Sequence, residues 1–427
     1  MRTSVIYTVE NPEEFKNRML TWAQQFREIL YLDSNKNAEK YEEYDVVLAA
    51  DAFTSIQTDY ENAFEALNDY QKNCKDWIFG YLSYDLKNDT EKLTSDNFDG
   101  LGFDDLFFFQ PKKLFLLKGN ELQMLYLNVC SDEIETDFTD IQDYTVVTKN
   151  TTSKIEINQR INKSLYIEKV SKVMRHIARG DIYEANFCME FFAEKSQINP
   201  LETYAGLNKI SLPPFACYFK NHNRYLLCAS PERYLKKQGE KVISQPIKGT
   251  AARSSNAEQD ECNRQMLLNN EKERSENIMI VDLVRNDLSR TAQKKSVEVE
   301  ELCGVYSFKQ VHQLISTITA KVKEGTTPVE ILKTTFPMGS MTGAPKISAM
   351  KIIEEVEETK RGLYSGAAGY FKPDGDFDFN VVIRSILYNE AKQYVSFSVG
   401  SAITAKSIPE QEYEECLLKA AAMRSVL

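Results

Sequence analysis

The chain has 427 residues, 42% apolar and 27% charged, with only 17 glycines and 12 prolines, a balance that excludes a disordered, collagen-like or repeat-built protein. A net charge of −11 argues against nucleic acid or an anionic membrane as the main partner, and no apolar run approaches a membrane span. The length exceeds what one compact core usually takes and predicts two substructures.

In chain order, the N-terminal run soon meets Glu10, Glu13 and Glu14. It lacks the apolar core of a signal peptide, so a cytoplasmic location is expected. Residues 77–82 read as a buried strand. Residues 106–109 and 114–117 flank Pro111-Lys112-Lys113 and predict two strands joined by a turn. The polar stretch 137–158 places a boundary near 150–160, dividing residues 1–155 from 156–427. Residues 164–179 predict a helix, and strands follow near 215–219 and 225–227. One helix is expected over about 257–280, N-capped by Ser254 or Ser255. Residues 299–302 and 311–322 look β-like. A further helix starts at Pro345 and can end at Gly362, and the last covers about 409–425. There is no regular βαβ rhythm and no glycine-rich nucleotide loop, which predicts an α+β fold rather than a doubly wound sheet. The eight cysteines form no C-x-x-C pair and histidines number three. Neither a zinc site nor a disulfide framework is indicated, and buried free thiols are expected.

Four constellations carry possible chemistry. Lys248 lies in Pro246-Ile247-Lys248-Gly249-Thr250. A lysine is a nucleophile only when burial or a nearby cation lowers its pKa; the bland alternative is a surface turn. Glu232, in Ser230-Pro231-Glu232-Arg233, is a general acid if an apolar setting raises its pKa, or else a solvated strand-end glutamate. Glu273 and Glu276, and again Glu412 and Glu415, sit three apart and share a helix face. Two such faces together would suit Mg²⁺; apart, they are solvated helix surfaces, with Glu415 and Lys419 an ordinary pair. Gly343-Ala344-Pro345-Lys346 opens a helix, where an anion or merely a good cap would fit.

These blocks occur in one order with Gly180-Asp181-Ile182-Tyr183, Glu273-Arg274-Ser275-Glu276-Asn277 and Tyr364-Ser365-Gly366. Over about residues 165–425 the chain resembles the chorismate-utilising enzymes of the anthranilate synthase component I type. Within them it is most similar to the aminodeoxychorismate synthase branch, whose members carry lysine at the position of Lys248 where anthranilate synthases carry alanine. The resemblance implies packed antiparallel sheets flanked by helices, with the site between them. It implies Mg²⁺ held mainly by Glu276 and Glu415, supported by Glu273 and Glu412. Tyr364 and Arg384 would hold one substrate carboxylate, and Thr250, the Gly400 backbone and Lys419 would complete the pocket. Glu232 would protonate the departing C4 hydroxyl of chorismate. Lys248 would attack C2, and ammonia would then expel it to give 4-amino-4-deoxychorismate. No amidotransferase elbow is visible, so a separate glutamine amidotransferase subunit is the expected ammonia source.

Three positions depart from that pattern. Gln313 stands where histidine is usual, and His312, one residue earlier on a strand, points to the other face. Gln cannot titrate. Ala402 replaces a glycine. Glu184 occupies a position where isochorismate synthases carry a lysine base and many ammonia-using relatives carry glutamine, which argues against the isochorismate reading. The alternatives left are anthranilate synthase component I and a chorismate-binding protein without turnover.

Overall fold

Several strands read as unbroken apolar runs because they are buried on both faces. In Glu28–Asp33, Ile29 and Tyr31 enter one core while Leu30 enters another. The same alternation divides Val46 and Leu48 from Val47 and Ala49, and Phe115 and Leu117 from Leu114 and Leu116. The period of two thus decides which core each side chain joins.

The computed structural model describes residues 1–37, 40–145, 155–309 and 311–427. Among them, twenty strands form one hydrogen-bonded network in which every strand pairing is antiparallel. The network folds into two sheets. The first passes from Val46–Thr58 through Glu28–Asp33, Phe215–Asn221, Arg224–Ser230, Ser385–Asn389 and Tyr394–Ile403 to Glu184–Ala193. The second passes from Leu106–Lys118 through Ile78–Leu82, Ala367–Phe371, Phe377–Val381, Arg233–Gln238 and Lys241–Gln245 to Val311–Lys321, which also pairs with Ile247–Ala252 and Glu298–Ser307. One core lies between the sheets, where Phe219 of the first meets Tyr81 of the second with ring centroids 5.2 Å apart. The other core lies under helices on the outer face of the first sheet, including Lys163–Arg179, Lys346–Val356 and Pro409–Ser425. The α+β fold of packed, helix-flanked antiparallel sheets is the one the sequence leads to. No helix among the described residues is long and apolar enough to cross a membrane.

Four expected elements are corrected. Residues 106–118 form one strand, not two. Pro111, which has no N–H to give, pairs with Ala52 beside a register shift and next to Asp51 at φ 62°. There the long Val46–Thr58/Leu106–Lys118 ladder bends from one sheet into the other. The single helix expected over 257–280 is two, Ala257–Asn269 and Glu271–Ser289. Asn270 is extended and its side chain accepts from the N–H groups of Lys272 and Glu273, so it caps a new helix. The first helix is capped by Asn256 rather than a serine. The helix after Pro345 stops at Val356, well before Gly362. Part of the polar stretch expected at the boundary is the helix Ile134–Asp143; residues 146–154, which include the start of the boundary region near 150–160, lie outside the described residues.

Candidate active site

Lys248 sits in a bulged strand rather than a turn. Ile247–Ala252 pairs with Val311–Lys321, with a register shift between Ile247 and Thr250. Gly249 has φ +94°, and a Cβ there would lie 3.1 Å from Glu273 Oε2 and 3.0 Å from Leu314. Only glycine lets this strand run so close to the Glu271–Ser289 helix. The bulge sends the Lys248 side chain, 11% exposed, against Glu184, 1% exposed, with Nζ 2.8 Å from Oε1. Burial drives the lysine toward its neutral form, but Glu184, then Glu276 and Glu232, more than offset this and raise its pKa. Of the two influences the sequence left open, burial is present but is outweighed by the acids that surround the amine.

Glu232 is buried at the entry to the strand Arg233–Gln238. Its Oε1 accepts from Ser340 Oγ at 2.6 Å. Burial pushes the carboxyl up to about 7, against the pull of Ser340 and Lys248. A carboxyl in that range is partly protonated near neutral pH, and the protonated form can give its proton to a leaving oxygen. Glu184 belongs to the first sheet, Lys248 to the second, and Glu232 to the link between Arg224–Ser230 and Arg233–Gln238, so this cluster forms where the sheets meet.

The two glutamate pairs face one ammonium. Lys272 Nζ lies 3.6 Å from Glu412 and 3.9 Å from Glu276, and Glu273 and Glu415 act on it as well. Glu412 also accepts from Ser401. Burial raises Glu276 to about 7, with Lys248 opposing, and its Oε1 is buried without a hydrogen-bond partner. Burial likewise raises Glu273. At Glu415 burial is outweighed by Lys419, 2.5 Å away, and the carboxyl is lowered. Among the described residues no three acid, thiol or imidazole side chains make a self-sufficient metal cage. Mg²⁺ needs none, since one or two protein carboxylates plus substrate and water suffice. An orphaned buried carboxylate oxygen, and a lysine ammonium lying among four acids, fit a place for positive charge. Glu276 and Glu415 would hold the ion, with Glu273 and Glu412 beside them.

The remaining candidates form the cationic side. Arg384, in left-handed backbone at φ 53°, has no carboxylate within ion-pair distance among the described residues. Its electrostatic neighbours are Tyr364, Glu415 and Cys416. Tyr364 is buried, 3.8 Å from Cys188 Sγ. A side chain at Gly400 would lie 2.6 Å from that same sulfur. The Gly400 carbonyl accepts from Lys419 at 2.9 Å. Gln313 lies opposite Thr250 in the ladder, 4% exposed, its Oε1 without a partner. His312 faces away, between Ser307 at 2.8 Å and Asp260 at 3.1 Å, and pins the strand to the Ala257–Asn269 helix. Gly343-Ala344-Pro345-Lys346 is structural: Lys346 reaches back to buried Asp287 and to the carbonyls of Thr335 and Pro337.

The family model of chorismate binding enzymes matches residues 7–425. The chain belongs to that family. It is 34% identical to an anthranilate synthase component I-like protein of Synechocystis sp., over 82% of this chain and 72% of that one. It is 35% identical to aminodeoxychorismate synthase component 1 of Bacillus subtilis, over 61% of this chain and 55% of that one. With the chloroplastic aminodeoxychorismate synthase of Arabidopsis thaliana the identity is 41%, but the match spans 60% of this chain and only 28% of the plant protein. Anthranilate synthase component I of Streptococcus pneumoniae superposes with a TM-score of 0.78 at 24% identity, covering 91% and 94% of the two chains. The menaquinone-specific isochorismate synthase of Escherichia coli gives 0.79 at 17%, covering 100% and 94%. At such identities these two establish the fold.

For a chorismate-binding enzyme, three contributors to the site escaped the motif reading. Ser340 donates to Glu232 from the Gly339–Met341 turn. Lys272 lies one residue before the Glu273 block and was not part of the motif. Glu184 was weighed only for the base it replaces, and not as the partner of Lys248; nothing in the spacing of residues 184 and 248 shows that their strands converge. A cavity of ≈ 70 Å³ lies apart from this cluster, among Leu32, Asp33, Ser34, Tyr44 and Phe215. It includes no residue of the Lys248 cluster and takes no part in the chemistry below.

Proposed function

We propose that this chorismate-binding enzyme is an aminodeoxychorismate synthase component I. It converts chorismate and ammonia, delivered by a partner glutamine amidotransferase, to 4-amino-4-deoxychorismate for p-aminobenzoate and folate synthesis. The observation that carries this reading is Lys248, buried beside Glu184 and within electrostatic reach of the raised carboxyl of Glu232. A lysine there has no task in a mechanism where ammonia alone attacks the ring.

The steps follow from the side chains. Arg384, Tyr364 and Lys419 orient the substrate carboxylates, and Thr250 closes the pocket over Gln313. Mg²⁺, when bound, supplies charge neutralisation for a carboxylate of the dianion in an otherwise acidic site. Lys248 Nζ bonds to C2 as the C4–O bond breaks. Glu232 gives its proton to the departing hydroxyl, which leaves as water. Ammonia then bonds to C4 as the C2–Nζ bond breaks, and the ring double bonds return to their first positions. The added nitrogen passes a proton to Glu232 and resets the acid.

Relatives named anthranilate synthase component I cover 81% and 82% of this chain, more than those named aminodeoxychorismate synthase, and keep anthranilate synthesis as the second reading. Intact-mass measurement separates the two. With chorismate and Mg²⁺ but no ammonia, the wild-type protein is expected to gain the mass of chorismate less water, on Lys248. Lys248→Ala is expected to gain nothing and to lose turnover. A wild type that stays unmodified and makes anthranilate once ammonia is added would overturn the proposal.

A further inference from the structure

Lys248 begins the reaction as an ammonium held by acids, and an ammonium cannot attack carbon. Glu232 cannot relieve it, because its carboxyl already holds the proton that leaves with the C4 hydroxyl. One group remains. Glu184 Oε1 lies 2.8 Å from Lys248 Nζ. Its other oxygen, Oε2, is buried with no hydrogen-bond partner, so no third group competes for a proton passed between the two. The carboxylate is placed by the sheet and not by a loop. Glu184 opens the strand Glu184–Ala193 and pairs with Ala344. The neighbouring chain comes so close that a Cβ at Gly343 would stand 2.1 Å from the Glu184 carbonyl. The other charged groups acting on Lys248 are Glu276, Glu232, Glu273 and Glu415, all from farther off.

We propose that Glu184 is the internal proton acceptor that frees Lys248 for attack. This rests on the reading of Lys248 as nucleophile. One proton moves from Nζ to the Glu184 carboxylate, and Nζ attacks C2 as the free amine. The adduct nitrogen keeps its two remaining protons. When ammonia displaces it, Nζ leaves as the free amine and takes its third proton back from Glu184. No proton is exchanged with solvent in either direction.

The test is the rate at which the Lys248 adduct forms with chorismate and Mg²⁺ in the absence of ammonia, followed by rapid quench and intact mass, in wild type and Glu184→Gln. The amide keeps the shape and cannot accept the proton, so the lysine must lose it to water, from a pKa that is itself lowered by loss of the Glu184 charge. The variant is expected to form adduct about 10²–10⁴-fold more slowly near neutral pH. Its deficit relative to wild type is expected to shrink about tenfold per pH unit, because free amine then rises with pH below the lysine pKa. Equal rates at neutral pH, or a deficit independent of pH as a merely structural role would give, overturn the proposal. Glu184→Asp keeps an acceptor and decides the matter should the amide fail to fold: its rate relative to wild type is expected to be constant with pH, and a ratio climbing with pH overturns it. A wild type that forms no adduct refutes the nucleophilic lysine itself, and Glu184 with it; a wild-type adduct with a pH-independent deficit refutes Glu184 alone.

Discussion

Glu232 shows how burial changes the protonation of an ordinary side chain. Its carboxyl, raised to about 7 chiefly by desolvation, must be protonated to assist a leaving hydroxyl. The rate with chorismate is therefore expected to fall as pH rises through about 7, and initial rates across that range check the sign. Glu232→Gln is expected to lower kcat by about 10²–10⁴-fold, with substrate binding retained. Lys248 and Glu232 were legible from their motifs, because proline, glycine and a fixed order of blocks mark them. The protonation of Lys248 was not. It depends on which acids converge, and strands that meet from different sheets leave no mark in local spacing. Gln313 was legible as a departure; its buried, unpartnered oxygen became visible only in three dimensions.

At the scale of elements, the break at Asn270 sets where Glu273 and Glu276 point. Asn270→Ala removes the cap of the Glu271–Ser289 helix and is expected to cost about 1 kcal/mol in denaturant unfolding. The paired glutamates carry a second expectation. Glu276 is raised to about 7, so the metal-free fold gains stability from this group at low pH and loses it as pH rises through about 7. A divalent cation replaces that proton. Mg²⁺ is therefore expected to raise Tm more at about pH 8 than at about pH 6, because it competes with fewer protons at the higher pH. Thermal melts with and without Mg²⁺ measure this, and an equal shift at both pH values would count against Glu276 as a ligand. The expected last helix, about 409–425, matches Pro409–Ser425, whereas the single helix expected over 257–280 is two. Helix periodicity missed the break at Asn270 because asparagine is neutral in a helix pattern until its side chain is seen capping the next turn.

At the scale of the molecule, the site depends on two sheets held face to face. Phe108 is fully buried in the core between them and contacts Phe371 and Phe379, with ring centroids 5.7 and 6.1 Å away. Phe108→Ala is expected to cost about 3–5 kcal/mol, measured by equilibrium unfolding. The apolar run at residues 77–82 announced a buried strand, and the lack of a βαβ rhythm announced α+β; that several strands are buried on both faces emerged only in the structure. Strand order was not legible, since antiparallel partners such as Ile78–Leu82 and Ala367–Phe371 are hundreds of residues apart and local pattern says nothing about which run pairs with which. Nor was the bend at Pro111, which local reading takes for a turn and the sheets use as a corner.

The central claim is the product. Purified protein is incubated with chorismate, Mg²⁺ and ammonium at mildly alkaline pH, with and without an aminodeoxychorismate lyase. p-Aminobenzoate that appears only with the lyase is the expected result; anthranilate formed without it would contradict the account.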